Sequence, residues 1–298
     1  VPVDVPQPSP ERLFPGQPPG HVEDHHGLAV AHGLGGPAAA EHHGLACTPR
    51  HERGEFVLHY QPQIDLASGR IVGAEALLRW RSHELGPVSP ADFIPIAEES
   101  NLISTIGEWV LEQACRQARH WLNLGLLPGT VAVNLSSKQM TQGDIVATVR
   151  RILEHSNLPG HYLELEITES VAMDNTGEMI RTLKNLKALG VRIAIDDFGT
   201  GYSSLAYLSR LPFDCLKIDK HFVQKMQTSP QDASIITGVL HMARGFGVNV
   251  VAEGVETAAE AACLKVMGCP QGQGYYFGRP APLEALTSAA RPAPVPPG

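Results

Sequence analysis

The stretch VRIAIDDFGTGYSS, residues 191–204, places an apolar strand directly before two adjacent carboxylates and a glycine-rich turn. A carboxylate is costly at the end of a buried strand unless a partner compensates its charge. Neighbouring strand residues point to opposite sides, but the backbone can twist where a strand ends, so Asp196 and Asp197 can both reach one or two cations. The alternative is that Asp197 only opens a turn and caps the helix after Ser203. Acidic strand ends recur along the chain, and this recurrence favours a metal site.

The sequence around this stretch alternates between strands and helices. Two apolar-rich strands at 56–63 and 71–79 are joined by a short connection, which predicts an antiparallel hairpin. Most later strands are separated by a helix. About eight strands with helical crossovers predict an α/β fold, a modified TIM (β/α)8 barrel that is closed and has an antiparallel first strand. The later strands are predicted at 131–135, 163–168, 191–196, 215–218, 248–252 and 274–277, and the helices at 90–99, 106–124, 178–189 and 234–246.

Composition and charge limit the classes of protein to which the chain can belong. The chain has 298 residues, 43% of them apolar, which suits a barrel that forms one domain with one core. A net charge of −8 argues against a protein that grips long nucleic acid by its phosphates, although a small anionic ligand remains compatible. Five scattered cysteines without a Cys-x-x-Cys pair predict reduced thiols in a cytosol. No signal peptide and no membrane span are predicted, because no apolar run reaches about 18 residues.

The two ends of the chain differ in kind from its centre. Residues 1–50 contain clusters such as Pro18-Pro19 and His25-His26 and show no sustained helical or strand period, so we predict a disordered, low-complexity segment. Its histidines could bind a metal adventitiously, but no fixed geometry is implied. A single domain is predicted at 51–290. The proline-rich residues 291–298 are predicted to form a disordered tail.

Polar side chains recur at the carboxyl ends of the predicted strands. In a barrel these ends converge on one mouth, where enzymes of this architecture keep their active sites. Each of these polar residues, taken alone, could have an ordinary structural role. Such roles do not explain why so many of them occur at the strand ends of one barrel. Two carboxylates about 4 Å apart repel by roughly 4 kcal/mol at an effective dielectric near 20, so the ring requires positive charge. In chain order the ring comprises Glu75, Arg79, Asn134, Glu166, Glu169, Asp196, Asp197, Lys217 and Glu253.

The donor types in this ring indicate which metal and which reaction to expect. Carboxylates and one amide, without histidine or cysteine, suit Mg²⁺ or Mn²⁺ rather than zinc. Two such ions about 3.5–4 Å apart can activate a bridging water and hold both oxygens of an in-line displacement at phosphorus. The planar guanidinium of Arg79 can grip a phosphate with two hydrogen bonds, although it could instead pair with a local acid. The ring therefore predicts phosphodiester hydrolysis.

At these residues the chain resembles a known family. The segment Glu75-Ala76-Leu77-Leu78-Arg79-Trp80 resembles the signature of the EAL-domain phosphodiesterases, which hydrolyse bacterial cyclic di-GMP. Further similar segments follow in order over nearly all of residues 54–290, which leaves little room for chance. They are GEF at 54–56, YQP at 60–62, NLS at 134–136, ELEITES at 164–170, DDFGTGYSS at 196–204, LKID at 216–219, AEGVET at 252–257, and the stretch from QGY at 273–275 to RP at 279–280.

The resemblance implies roles for individual residues. One metal would be held by Glu75, Asn134, Glu166 and Asp196, and a second by Asp196, Asp197 and Glu253. Lys217 would hold or polarise the attacking water, and whether it or Glu253 handles the proton stays open. Arg79 would bind a substrate phosphate, and Gln61, Leu78 and Gln273 would complete the substrate pocket.

The resemblance also implies partners and a setting. The product would be 5′-pGpG, formed in the bacterial cytoplasm, and such domains usually follow a sensory or GGDEF-type domain. A homodimer would form partly through the loop after Asp197, which contains Phe198, Gly199, Thr200, Gly201 and Tyr202 and which Glu169 would anchor. Two positions depart from the family pattern: Pro270 replaces a usual acid, and Gly278 replaces a usual serine or alanine. Because proline fixes φ and removes a donor, the approach of the chain to Gln273 is expected to change.

Three alternatives compete with the hydrolase. A relative that has lost catalysis could act as a cyclic di-GMP receptor, but loss of metal ligands would mark it and none is lost. An enolase-like barrel also uses strand-end acids and a lysine, yet it explains neither Asn134 nor Arg79 nor the pair of aspartates. A scaffold that works through its dimer surface is the third.

Overall fold

A computed structural model of the chain describes residues 54–126, 129–174, 176–201 and 205–282. The segments predicted to be disordered, 1–50 and 291–298, lie outside the described residues, and so does Tyr202. The division into three parts at residues 50 and 290 therefore stays a prediction.

Nine strands of the described chain form one sheet that closes into a barrel. Around the ring the order is β1-β2-β4-β5-β6-β7-β8-β9, and β9 returns to β1, while β3 pairs with β2 outside the ring. Within the ring, β2 and the strands from β4 to β9 run parallel, whereas β1 is antiparallel to both of its neighbours and β3 is antiparallel to β2. The predicted α/β barrel with an antiparallel first strand is confirmed. The strands are β1 Phe56–Asp65, β2 Ile71–Ser82, β3 Gly86–Val88, β4 Thr130–Asn134, β5 Leu163–Thr168, β6 Arg192–Phe198, β7 Cys215–Ile218, β8 Asn249–Ala252 and β9 Gln271–Gln273.

Helices connect the parallel strands and cover the barrel. Helix α2, the longest described, buries Val110, Leu111 and Ala114 at helical spacing, so its apolar stripe packs against the core. Helix α10 begins with a capping box between Thr257 and Glu260. Within the described residues, no helix combines the length and apolar character needed to cross a bilayer. The helices are α1 Pro90–Glu99, α2 Leu102–Asn123, α3 Ser137–Thr141, α4 Ile145–Ser156, α5 Glu169–Met173, α6 Thr176–Ala188, α7 Leu205–Leu208, α8 Lys220–Lys225, α9 Pro230–Phe246 and α10 Ala258–Met267.

The prediction of the last strand was wrong by three residues. The strand predicted at 274–277 is instead Gln271–Gln273, and the aromatic residues after it form a turn. The amides of Phe277 and Gly278 both donate to the carbonyl of Gly274, which closes that turn. Aromatic residues favour strands, but here local hydrogen bonds and burial of the Phe277 ring override the propensity. Strand β3 and the helices α3, α4, α8 and α10 were not predicted.

The buried apolar residues inside the barrel form a cluster distinct from the larger core. Ala194, Cys215 and Val251 form a small buried cluster of their own on the neighbouring strands β6, β7 and β8. Because side chains alternate between the two faces of a strand, residues two positions further along point into the same interior. On β6 and β7 these residues are Asp196 and Lys217. Small apolar residues thus fill the barrel beneath a polar layer at its mouth.

The end of β9 approaches the loop after β8 so closely that the contact requires glycine. A Cβ at Gly274 would lie 2.2 Å from the carbonyl oxygen and 2.3 Å from the amide nitrogen of Val255. The Val255 amide also donates to the carbonyl of Gln273 at 3.0 Å. This contact sets the spacing between two segments that carry polar residues of the mouth, Gln273 and Glu253.

We expect Gly274→Ala to lower the free energy of unfolding by about 1–3 kcal/mol, because the added methyl group must displace backbone rather than a flexible side chain. The measurement is urea unfolding followed by circular dichroism. Gly238→Ala is the matched control: it lies exposed within α9 with open space around its Cβ position, so it should raise stability by roughly 0.5–1 kcal/mol. Equal changes in the free energy of unfolding for the two substitutions would contradict the close contact between Gly274 and Val255.

Candidate active site

The buried ammonium of Lys217 lies among four carboxylates at the mouth of the barrel. The Nζ atom of Lys217, whose side chain is 1% exposed, lies 2.7 Å from an oxygen of Glu253 and 2.8 Å from one of Glu166. Oxygens of Asp196 and Glu75 follow at 3.4 and 3.8 Å. These residues come from β2, β5, β6, β7 and the end of β8, so the barrel gathers groups that are far apart in sequence. Convergence of the strand ends is the cause.

The paired aspartates owe their arrangement to a backbone turn at the end of β6. Asp197 has φ of +53°, a left-handed conformation that Asp adopts more readily than most residues. Its amide donates to Oδ1 of Asp196 at 2.9 Å. One carboxylate oxygen each of Asp196, Asp197 and Glu253 lie within 4.8 Å of one another. The twist brings two neighbouring side chains to the same side, as the sequence predicted, and its consequence is a compact group of three acids.

A chain of amides supports Glu75 on the other side of the mouth. Glu75 accepts hydrogen bonds from Nδ2 of Asn134 at 2.7 Å and from Nε2 of Gln273. The same Gln273 nitrogen contacts Oε1 of Gln61 at 3.2 Å, and Nε2 of Gln61 donates to the carbonyl of Gly278 at 3.0 Å. All four side chains are buried. Both oxygens of Glu75 are thus oriented by protein donors.

The two departures from the family pattern leave this amide chain in place. The carbonyl of Pro270 accepts from the Leu66 amide at 3.0 Å, and Gln273 still reaches Glu75. Gly278 contributes its backbone carbonyl, which any residue could supply. The altered approach to Gln273 that the sequence suggested does not separate Gln273 from the site.

Burial and mutual repulsion raise the pKa values of the acids. Burial raises the pKa of Glu166 and of Glu253 well above the ordinary range, and neighbouring carboxylates add to the effect. Burial, followed by the charges of Asp196 and Asp219, raises the pKa of Asp197 to about 7. Both oxygens of the Glu166 carboxylate, fully buried, lack a hydrogen-bond partner among the described residues, and Lys217 is its charge partner. One ammonium does not neutralise this many acids, so the site is suited to hold further positive charge.

A cleft of about 660 Å³ opens above these residues. Its volume is that of a pocket for a small molecule. Gln61, Arg79 and Gln273 line it, whereas Leu78 is buried in the core and does not. The acids of the mouth that line it are Glu75, Glu169, Asp196, Asp197 and Glu253. The carbonyl of Leu78 instead accepts a hydrogen bond from Nη1 of Arg79 at 2.9 Å.

Glu169 ties the loop after β6 to the start of α5. Its Oε2 accepts a hydrogen bond from the Gly199 amide at 2.9 Å, and a Cβ at Gly201 would lie 2.7 Å from its Oε1. Thr168 caps α5 and so places Glu169 in the first helical turn. Phe198 is buried, and Thr200 donates to the Asp197 carbonyl. The described part of the loop, through Gly201, is held against the cleft.

Several residues that line the cleft were not predicted from the sequence. Asp219 follows β7 directly and caps α8 through the His221 amide at 2.8 Å. Its position beside Lys217 in the segment LKID was the available signal, since strand ends meet at the mouth. The other missed residues lie on helices and loops, where no alternation marks their orientation; they include Asp174, Lys220, Gln224 and Glu256.

Comparison with known proteins finds one family over most of the chain. The family model described as EAL domain matches residues 46–280. Two relatives from Pseudomonas aeruginosa are the bifunctional diguanylate cyclase/cyclic di-GMP phosphodiesterase MucR, 46% identical over 239 residues, and the cyclic di-GMP phosphodiesterase NbdA, 44% identical over 237 residues. Each alignment covers 80% of this chain but only 35% of MucR and 30% of NbdA. The chain therefore spans about a third of these relatives.

Solved structures show the same fold. The PaMucR phosphodiesterase in complex with c-di-GMP superposes with a TM-score of 0.77 at 46% identity, covering 79% of this chain and 95% of that one. The EAL domain of Mycobacterium smegmatis DcpA gives a TM-score of 0.67 at 36% identity, covering 78% of this chain and 96% of that one.

The raised pKa of Asp197 predicts how stability depends on pH when metal is removed. The folded state holds a proton up to about pH 7 that the unfolded chain releases near pH 4, so the free energy of unfolding should fall as pH rises between these values. The measurement is urea unfolding in chelator from about pH 5 to about pH 8, spanning the folded pKa. Asp197→Asn keeps a residue that tolerates the left-handed backbone but cannot ionise, so its decline should be shallower. A decline as steep as in the parent protein would contradict the assignment.

Proposed function

The chain belongs to the EAL domain family, and on this premise we propose that it hydrolyses cyclic di-GMP to linear 5′-pGpG with Mg²⁺ or Mn²⁺ as cofactor. The observation that carries the proposal is the intact polar layer at the barrel mouth, where Lys217 lies within 3.8 Å of four carboxylates. MucR and NbdA, described as phosphodiesterases of this nucleotide, support the substrate.

The residues of the mouth fit two divalent cations. The donors are oxygens, and the fully buried Glu166 carboxylate has the Lys217 ammonium beside its Oε2 but receives no hydrogen bond from the described residues, so its Oε1 is suited to a cation. Bound ions would activate water and neutralise charge on the phosphate. We propose that one ion is held by Glu75, Asn134, Glu166 and Asp196, and the other by Asp196, Asp197 and Glu253.

Lys217 and Glu253 are the proposed catalytic pair. Their side chains meet at 2.7 Å, and Glu253 remains 18% exposed toward the cleft, whereas Lys217 is 1% exposed. Lys217 is suited to hold or polarise the attacking water, because the surrounding acids keep its pKa well above the ordinary range despite burial. Burial raises the pKa of Glu253 well above its ordinary range, which makes its carboxylate more basic and suits it to accept a proton. Because Lys217 stays protonated, Glu253 is the member of the pair suited to accept the proton.

Substrate contacts come from the rim of the cleft. Arg79 would bind a phosphate through its guanidinium, which the Leu78 carbonyl orients. Gln61 and Gln273 would contact the substrate from the β1–β9 side, where each already donates to a neighbour.

The setting of the domain is proposed from the family. We propose a bacterial cytoplasmic protein that forms a homodimer partly through the loop after Asp197, with Glu169 as its anchor. Since the matched region covers only 35% of MucR and 30% of NbdA, we propose that the whole protein carries an upstream sensory or GGDEF-type domain. An inactive receptor of cyclic di-GMP is the second candidate, but the complete set of metal-ligating acids favours the enzyme.

We expect purified protein to convert cyclic di-GMP to pGpG in the presence of Mg²⁺ or Mn²⁺ and to stop when chelator is added. The measurement is separation of substrate and product by liquid chromatography. Tight binding without product would favour the receptor and contradict the hydrolase.

Two substitutions test the ring in the same assay. Glu75→Ala removes a proposed ligand and should lower turnover at least about 100-fold, because even outer-shell changes cost metal sites 10–100-fold. It should also reduce the thermal stabilisation that Mn²⁺ confers. Glu84→Ala, an exposed acid in the turn after β2, should leave both unchanged. Near-normal turnover of Glu75→Ala would reject its assignment.

Glu253→Gln separates rate from affinity. The amide keeps the shape of the side chain but cannot exchange a proton, so we expect kcat to fall by about 10²–10⁴ while the Kd of cyclic di-GMP stays within about threefold. Titration calorimetry and single-turnover kinetics give the two quantities. An unchanged kcat would remove Glu253 from the mechanism.

A further inference from the structure

The cleft is acidic, and its positive charges are few. Among the described residues that line it, Arg79 and Lys220 carry the positive charges, because Lys217 lies buried beneath. A dianionic ligand that enters this cleft meets strong repulsion except at the metal sites and at these two side chains. The positions of the two cations therefore restrict where phosphates can lie.

Arg79 and Lys220 stand on opposite sides of the mouth. Arg79 lies on β2, and Lys220 follows β7 at the start of α8. Around the eight-stranded ring, three strands separate β2 from β7 in each direction: β4, β5 and β6 on one side, and β8, β9 and β1 on the other. The strands β2 and β7 thus lie opposite each other in the ring, and Arg79 and Lys220 line one cleft together with the acids.

Close packing fixes the stem of Lys220. A Cβ at Gly254 would lie 2.3 Å from Cβ of Lys220 and 3.1 Å from its Cα. Gly254 has φ of +66° and directly follows Glu253, so the lysine stem packs against the backbone that carries a proposed catalytic residue. Lys220 is half-buried, so less rotamer freedom is lost when its ammonium binds a ligand.

We infer that Lys220 binds the second phosphate of the cyclic dinucleotide, opposite the phosphate that Arg79 holds; this inference rests on the proposed function. A cyclic dinucleotide carries two phosphodiesters on opposite sides of one ring, and two cations on opposite sides of one cleft match that pattern. Lys220 is therefore a specificity residue that favours a ligand with two phosphates over one with a single phosphate.

The test compares a substrate with two phosphates to a substrate with one. We expect Lys220→Met, which keeps the stem and removes the charge, to raise the KM for cyclic di-GMP about tenfold, as loss of a charge-assisted hydrogen bond does. The ratio of kcat/KM for cyclic di-GMP to kcat/KM for bis(p-nitrophenyl) phosphate should fall by about the same factor. Lys220→Arg should recover most of that ratio.

Lys225→Met is the matched control, because Lys225 lies on the same helix, is exposed and does not line the cleft. Its ratio should equal that of the parent protein. If the parent protein hydrolyses cyclic di-GMP and Lys220→Met leaves the ratio unchanged, the inference on Lys220 is overturned. Absence of hydrolysis by the parent protein would instead overturn the proposed function, and binding of cyclic di-GMP to Lys220→Met would then decide the role of Lys220.

Discussion

The Lys217 ammonium, buried among four carboxylates, is the interaction on which the mouth of the barrel depends. Each of these charges would cost several kcal/mol to bury alone, and only their mutual attraction makes the arrangement tolerable. The attraction is incomplete, because the acids outnumber the ammonium and their pKa values rise. The same imbalance weakens the metal-free fold and underlies the affinity for divalent cations that we propose, so stability and the proposed function oppose each other at this site.

The excess of carboxylates over ammonium groups requires a rigid framework that holds like charges close together, and the barrel provides it. Small apolar residues fill the interior below Lys217, and parallel strands fix the height of each acid. The antiparallel β1 closes the ring and brings Gln61 beside Gln273, which in turn orients Glu75. If β1 ran parallel to its neighbours, its residues would follow one another in the opposite direction along the barrel. Gln61 would then not lie at the level of Gln273 in this register.

The backbone conformation at the end of β6 produces an arrangement of side chains that the convergence of strand ends alone does not. The left-handed turn at Asp197 places its carboxylate next to that of Asp196, against the alternation of a strand. The same turn sends the chain to Gly199, where Glu169 holds it at the edge of the cleft. The position of the acids proposed to bind metal and the position of the loop proposed for dimer contact therefore both depend on this one turn. A change in one is expected to reach the other through Asp197 and Glu169.

The sequence by itself determined the barrel, its antiparallel start and the acids of its mouth, because alternation and strand-end position follow from local periodicity. It could not place the last strand, where aromatic residues with strand propensity form a turn, nor show that Leu78 faces the core. Lys220 escaped prediction because its role depends on which strands lie opposite each other. Only tertiary structure decided these points, since closure of the ring and packing against distant backbone, as at Gly254 and Gly274, are set by residues far along the chain.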